Sequence, residues 1–76
     1  MATLVGTAGN DRIAGTSSSD RISLFGGNDT ALGNSGNDTV YGGTGNDRLF
    51  GGNGIDRLFG ATEADLLYGG NDTDYL

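Results

Sequence analysis

The chain has 76 residues, 34% of them hydrophobic, with sixteen glycines and ten acidic residues against four basic ones, for a net charge of −6. It is one small domain at most, and its charge disfavours nucleic acid and anionic membranes while favouring cations. Without cysteine there are no disulfides. No apolar run of about 18 residues is present to insert into a membrane. Without His, Cys or Lys no nucleophile–base–orienter set can be built, so the chain is not read as an enzyme.

Residues 1–5, Met1-Ala2-Thr3-Leu4-Val5, read as a lead-in strand and lack the basic segment and apolar stretch of a secretory signal. Residues 6–76 read as a single domain of eight nine-residue units, the last one residue short. Position six of every unit is aspartate: Asp11, Asp20, Asp29, Asp38, Asp47, Asp56, Asp65 and Asp74. Position eight is aliphatic: Ile13, Ile22, Ala31, Val40, Leu49, Leu58, Leu67 and Leu76. Position one is glycine at Gly6, Gly15, Gly33, Gly42, Gly51, Gly60 and Gly69, with Leu24 the exception. A fixed period of this kind signals a solenoid.

Within a unit, positions one to six are turn-formers, as in Gly42-Gly43-Thr44-Gly45-Asn46-Asp47, because Gly, Asn and Asp tolerate the backbone reversals a tight turn needs. Positions seven to nine, as in Arg48-Leu49-Phe50, read as a short strand with one apolar residue between two outward neighbours. Glycine recurs too often for a helix. The best helical rival, Thr62-Glu63-Ala64-Asp65-Leu66-Leu67, keeps Asp65 and Leu67 in phase with the repeat and is assigned to the solenoid. Two units close one coil, giving about four coils stacked about 4.8 Å apart. The position-eight side chains fill a core too thin for so short a chain without a staple. With disulfides excluded, metal ions or self-association remain.

In that stack Asp11, Asp29, Asp47 and Asp65 line one edge, and Asp20, Asp38, Asp56 and Asp74 the other. Two carboxylates about 5 Å apart repel by about 1 kcal/mol in water, and by several times that at an effective dielectric of about 20. A divalent cation between facing carboxylates reverses the sign. Hard oxygen donors from carboxylates and unhindered turn carbonyls suit Ca²⁺ better than Mg²⁺. Zinc and copper lack their usual ligands here.

The units resemble the Gly-Gly-x-Gly-x-Asp-x-U-x repeat (U large and aliphatic) of the repeat-in-toxin family across residues 6–76. The resemblance implies an all-β parallel β-roll. Calcium would sit between turns two repeats apart, on the position-six aspartates and on carbonyls of the first four turn positions. The turns Gly42–Asp47 and Gly51–Asp56 match fully, while Gly6–Asp11 and Gly33–Asp38 miss only the second glycine. Carried over, the ligand set comprises the eight aspartates with Gly26, Gly27, Gly36, Gly42, Gly43, Gly45, Gly51, Gly52 and Gly54. Six calcium ions are the geometric ceiling and about four are expected. The surest pairs are Asp38 with Asp56 and Asp29 with Asp47. Ser18, Glu63 and Asp72 replace glycine at position four and weaken their sites if that position needs φ > 0. Similar proteins leave bacteria through a type I exporter and fold outside on meeting calcium, which implies a secreted, extracellular location.

Blander readings account for the remaining features. A calcium-free chain of this composition reads as disordered. The outward aromatics Tyr41, Phe50, Phe59 and Tyr68 read as cross-strand packing, with a glycan- or protein-binding strip as the alternative. Arg12, Arg21, Arg48 and Arg57 face solvent, and the Asn-x-Thr triplets at Asn28, Asn37 and Asn71 fall out of the repeat. The Leu24-Phe25 pair plugs a gap or meets a partner. Alternatives to a free-standing calcium module are an adhesin-like binding module or a fragment of a larger secreted protein. The stop at Leu76 and the absence of polar end caps favour the fragment reading, and open terminal coils with unpaired strand edges imply end-to-end association.

Overall fold

The computed structural model describes residues 2–61 and 64–70. It holds eight three-residue strands: β1 Thr3–Val5, β2 Arg12–Ala14, β3 Arg21–Ser23, β4 Thr30–Leu32, β5 Thr39–Tyr41, β6 Arg48–Phe50, β7 Arg57–Phe59 and β8 Leu66–Tyr68. From β2 onward each occupies positions seven to nine of its unit. Leu66 and Leu67, which end the helical rival, lie in a strand, whereas Thr62 and Glu63 fall outside the described residues.

Two parallel sheets form, in the orders β1-β3-β5-β7 and β2-β4-β6-β8. Every pairing joins residues 18 apart, as in Leu4↔Ile22, Ile22↔Val40 and Val40↔Leu58. One coil is therefore two units, and the stack is a parallel β-solenoid of about four turns. The ladder extends past the strands on both sides. Position one donates to position nine of the next coil, as in Gly15 N–H to the Leu32 carbonyl at 2.6 Å. Position seven donates to the aspartate carbonyl of the coil before, as in Thr39 N–H to Asp20 at 2.9 Å.

The core is the position-eight row, with Ile22, Ala31, Val40, Leu49 and Leu58 fully buried and Leu4, Ile13 and Leu67 half-buried against it. The half-buried three lie toward the ends of the stack, where a neighbouring coil is missing on one side. Leu24 is also wholly buried. Of the two readings of the Leu24-Phe25 pair, Leu24 takes the plug, and Phe25 turns outward, 56% exposed. Leu76 lies outside the described residues.

On the outer faces the arginines alternate with threonine along each ladder, Arg12↔Thr30↔Arg48 and Arg21↔Thr39↔Arg57, so no two meet directly. Tyr41 stacks on Phe59 with ring centroids 5.1 Å apart, and Phe50 on Tyr68 at 5.0 Å. These aromatics are cross-strand pairs in register, each ring covering its partner's face.

Candidate metal centre

The turns between strands bring positions one to six of alternate units into stacked rows. Two positions in most of these turns adopt left-handed backbone. At position two these are Phe25, Asn34, Gly43, Gly52, Ala61 and Gly70, and at position four Gly27, Gly36, Gly45 and Gly54. The need for φ > 0 at position four thus holds in four turns. Its counterpart at position two explains why Asn34 substitutes for the second glycine of its unit, since asparagine tolerates this region. Gly42 and Gly51 matter for another reason. At position one an added Cβ would meet the turn's own aspartate, 2.8 Å from Asp47 Oδ2 at Gly42. Gly26 has neither constraint, with ordinary van der Waals room beside it.

The eighteen-residue spacing brings the aspartates into rows as expected, but the contact along each row is carboxylate to amide. Asp11 N–H donates to Asp29 Oδ1 at 2.6 Å, Asp29 N–H to Asp47 Oδ1 at 2.9 Å, and Asp47 N–H to Asp65 Oδ1 at 2.7 Å. On the other edge Asp20 N–H reaches Asp38 Oδ1 at 2.7 Å and Asp38 N–H reaches Asp56 Oδ1 at 2.8 Å. The expected picture of carboxylates held together only by a cation is corrected in this respect. An N–H dipole stands between neighbouring carboxylates and offsets part of their repulsion. Asp74 lies outside the described residues.

The second oxygen divides the turns into two kinds. Oδ2 of Asp29 and Asp38 is buried and accepts no hydrogen bond, although Oδ1 of each is engaged. A buried carboxylate oxygen without a partner is costly and calls for an unplaced cation or proton. In the first two turns that oxygen is satisfied. Thr7 N–H donates to Asp11 Oδ2 at 2.6 Å, and Thr16 N–H to Asp20 Oδ2 at 2.7 Å. The threonine hydroxyls reach the same carboxylates, and each accepts the N–H two residues on, from Gly9 or Ser18.

Electrostatics follow the same division. The Thr16 N–H, working against burial and helped by the Thr16 hydroxyl, holds the Asp20 carboxyl below its ordinary range. Burial pushes Asp29 up despite the Asp11 N–H. Burial likewise pushes Asp38 up to about 6, opposed by the Asp20 N–H and reinforced by the charges of Asp56 and Asp20.

The donors present fit a hard divalent ion. Among the described residues no three His, Cys, Asp or Glu side chains come together, and the hard donors on offer are carboxylate oxygens and main-chain carbonyls. At Gly33 such oxygens converge. An ideal Cβ there would lie 2.6 Å from both Asp38 Oδ2 and the Gly51 carbonyl oxygen of the next coil. Glycine leaves that point open between a buried anion and a carbonyl dipole.

The family model of the RTX calcium-binding nonapeptide repeat (4 copies) matches residues 3–30, 25–58 and 50–76. The chain belongs to the RTX family. No curated protein and no solved structure matches it. RTX repeats bind Ca²⁺, and the fold they build is a structural, non-catalytic module. Among the described residues no helix is long and apolar enough to cross a membrane.

Reasoning from the RTX motif missed two features. It did not find the threonines that close the first two turns, although Thr at position two of only those units was the available signal. It also passed over the position-five asparagines, which form ladders of their own. Asn28 N–H donates to Asn10 Oδ1, Asn46 N–H to Asn28 Oδ1 and Ile55 N–H to Asn37 Oδ1.

Proposed function

We propose that residues 6–76 act as one calcium-driven folding module of a secreted bacterial protein, unfolded where Ca²⁺ is scarce and assembled where it is about millimolar. The leading ligands are Asp29 with Asp47 and Asp38 with Asp56, paired aspartates eighteen residues apart. Carbonyls of the flanking turns, including those of Gly26, Gly27, Gly36, Gly42, Gly43, Gly45, Gly51, Gly52 and Gly54, complete them. The observation that carries this reading is the buried, unbonded Oδ2 of Asp29 and Asp38. Without a cation each costs free energy in a chain with a thin core; with one each becomes a staple. When bound, the ion supplies charge neutralisation and cross-coil bonds, while the chain supplies the register that lines up its donors.

Titrating CaCl₂ into chelator-stripped protein tests the reading by circular dichroism. A transition from a disordered to a β-type spectrum is expected, and a spectrum indifferent to chelator sinks the idea. Light scattering on the same sample addresses self-association. Strands β1 and β2 have unpaired outer edges and Val5 is 61% exposed, so end-to-end dimers or longer stacks are expected in calcium. A strict monomer rules that part out.

A further inference from the structure

The contrast between the first two turns and those that follow carries a second step, which rests on the calcium reading above. We propose that Thr7 and Thr16 stand in for calcium, so that turns 6–11 and 15–20 form a metal-free leading coil and calcium loads only from the turn ending in Asp29 onward.

The geometry supports this at each atom. Calcium competes with hydrogen-bond donors for carboxylate oxygens, so an oxygen already accepting from a nearby N–H or hydroxyl is a poorer ligand than an unbonded one. In turn 6–11 both Asp11 oxygens accept from Thr7, Oδ2 from the N–H at 2.6 Å and both from the shared hydroxyl at 3.1 Å. In turn 15–20 Asp20 Oδ2 accepts from Thr16 N–H at 2.7 Å. Its Oδ1 accepts from the Thr16 hydroxyl at 2.9 Å and from Ala2 N–H at 3.0 Å. The hydroxyl is in turn fixed by an incoming N–H at 3.1 Å, from Gly9 or Ser18. Each such turn is a closed relay from amide to hydroxyl to carboxylate.

The backbone agrees. Position two is left-handed at Phe25, Asn34, Gly43, Gly52 and Ala61 but not at Thr7 or Thr16, and position four is left-handed at Gly27, Gly36, Gly45 and Gly54 but not at Gly9 or Ser18. The leading turns thus lack the conformation found in the turns that end in Asp29 and Asp38, whose Oδ2 is unbonded. A β-branched residue at position two disfavours φ > 0, which ties the conformation to the threonine.

Of the six aspartate pairs eighteen residues apart, two include Asp11 or Asp20. Those that remain are Asp29/Asp47, Asp38/Asp56, Asp47/Asp65 and Asp56/Asp74, the last reaching outside the described residues. The threonines give the module one coil that needs no ion.

The test is native mass spectrometry of the intact chain in CaCl₂, supported by calorimetric titration. The unmodified chain should saturate at four calcium ions, and Asp11→Asn with Asp20→Asn should keep that number and its midpoint within about twofold. Loss of one or two ions in the double variant overturns the proposal, as does saturation of the unmodified chain at six. Should the double variant fail to fold, Thr7→Gly serves instead. It restores the full Gly-Gly-x-Gly-x-Asp pattern because Gly9 is already in place, and it should take up one further calcium on the Asp11/Asp29 pair. An unchanged count in Thr7→Gly overturns the proposal. Binding of no calcium by the unmodified chain sinks the underlying reading, and this one with it, so the two failures are distinct.

Discussion

The backbone N–H of Asp20 donates to Oδ1 of Asp38, eighteen residues on, at 2.7 Å. That one bond sets the orientation of the Asp38 side chain and leaves Oδ2 as its only unengaged oxygen. Within the folded coil the Asp38 carboxylate is therefore held in one orientation by the neighbouring coil itself, with Oδ2 the oxygen left for a cation.

Replacing Asp38 by Asn should act in opposite directions on the two forms of the protein. The amide keeps the Oδ1 acceptor but removes a buried charge, so the calcium-free chain gains slightly in compactness. The loaded form loses an anionic ligand, and the calcium midpoint of folding should rise by roughly tenfold or more, since affinity tracks ligand charge. Circular dichroism titrations in chelator and in calcium check both signs. A variant with an unchanged midpoint would remove Asp38 from the ligand set.

The pH response should also split. The folded-state Asp38 is raised to about 6, above its ordinary 3.8, and Asp29 is raised as well. In the metal-free fold their ionised forms are therefore unfavourable, and that penalty is relieved as pH falls through about 6. Asp20 is lowered, so its contribution is present above the unfolded value and is lost on further acidification. In chelator, β-structure should increase between pH 7 and 5 and decline at lower pH. In calcium the trend should reverse, because protons compete for the same oxygens. Parallel pH series with and without chelator separate the two.

Position one tells against restoring the repeat consensus at residue 24. Leu24→Gly matches the motif, but it deletes a fully buried side chain and should cost about 2–4 kcal/mol in the calcium-loaded form. For a chain of this size that is roughly 10–25 °C in Tm, measurable by thermal unfolding in excess CaCl₂. A gain in Tm would mean that Leu24 is not part of the core.

Gly45 and Gly26 offer a matched pair. Gly45 has φ +96 and its missing Cβ points at the Gly27 carbonyl, whereas an added Cβ at Gly26 would lie 3.4 Å from the Thr44 hydroxyl. Gly45→Ala should cost about 1–3 kcal/mol of loaded-state stability, and Gly26→Ala within about 0.5. Equal losses in thermal melts would contradict the turn geometry.

Strand positions and register were legible in the sequence because one physical requirement, an aliphatic facing a shared core, recurs every nine residues from Ile13 onward. The aspartate rows were legible for the same reason. What their side chains touch was not. Whether Oδ2 accepts a threonine amide, as at Asp11, or goes unbonded, as at Asp38, tracks the φ of one residue at position two. A motif that reads both units as near matches averages over that angle. For the Leu24-Phe25 pair the sequence offered both a plug and a contact, and only burial assigns the plug to Leu24 and the outward place to Phe25.

The asparagine ladders carry a consequence for chemical ageing. In a free chain an Asn-Asp step deamidates when the following nitrogen swings onto the side-chain amide. At Asn28 the Oδ1 is held by Asn46 N–H and the attacking nitrogen, that of Asp29, is engaged by Asp47. The stacked coils thus shield Asn28 from slow succinimide formation, so the folded chain can outlast the lifetime its sequence alone would suggest.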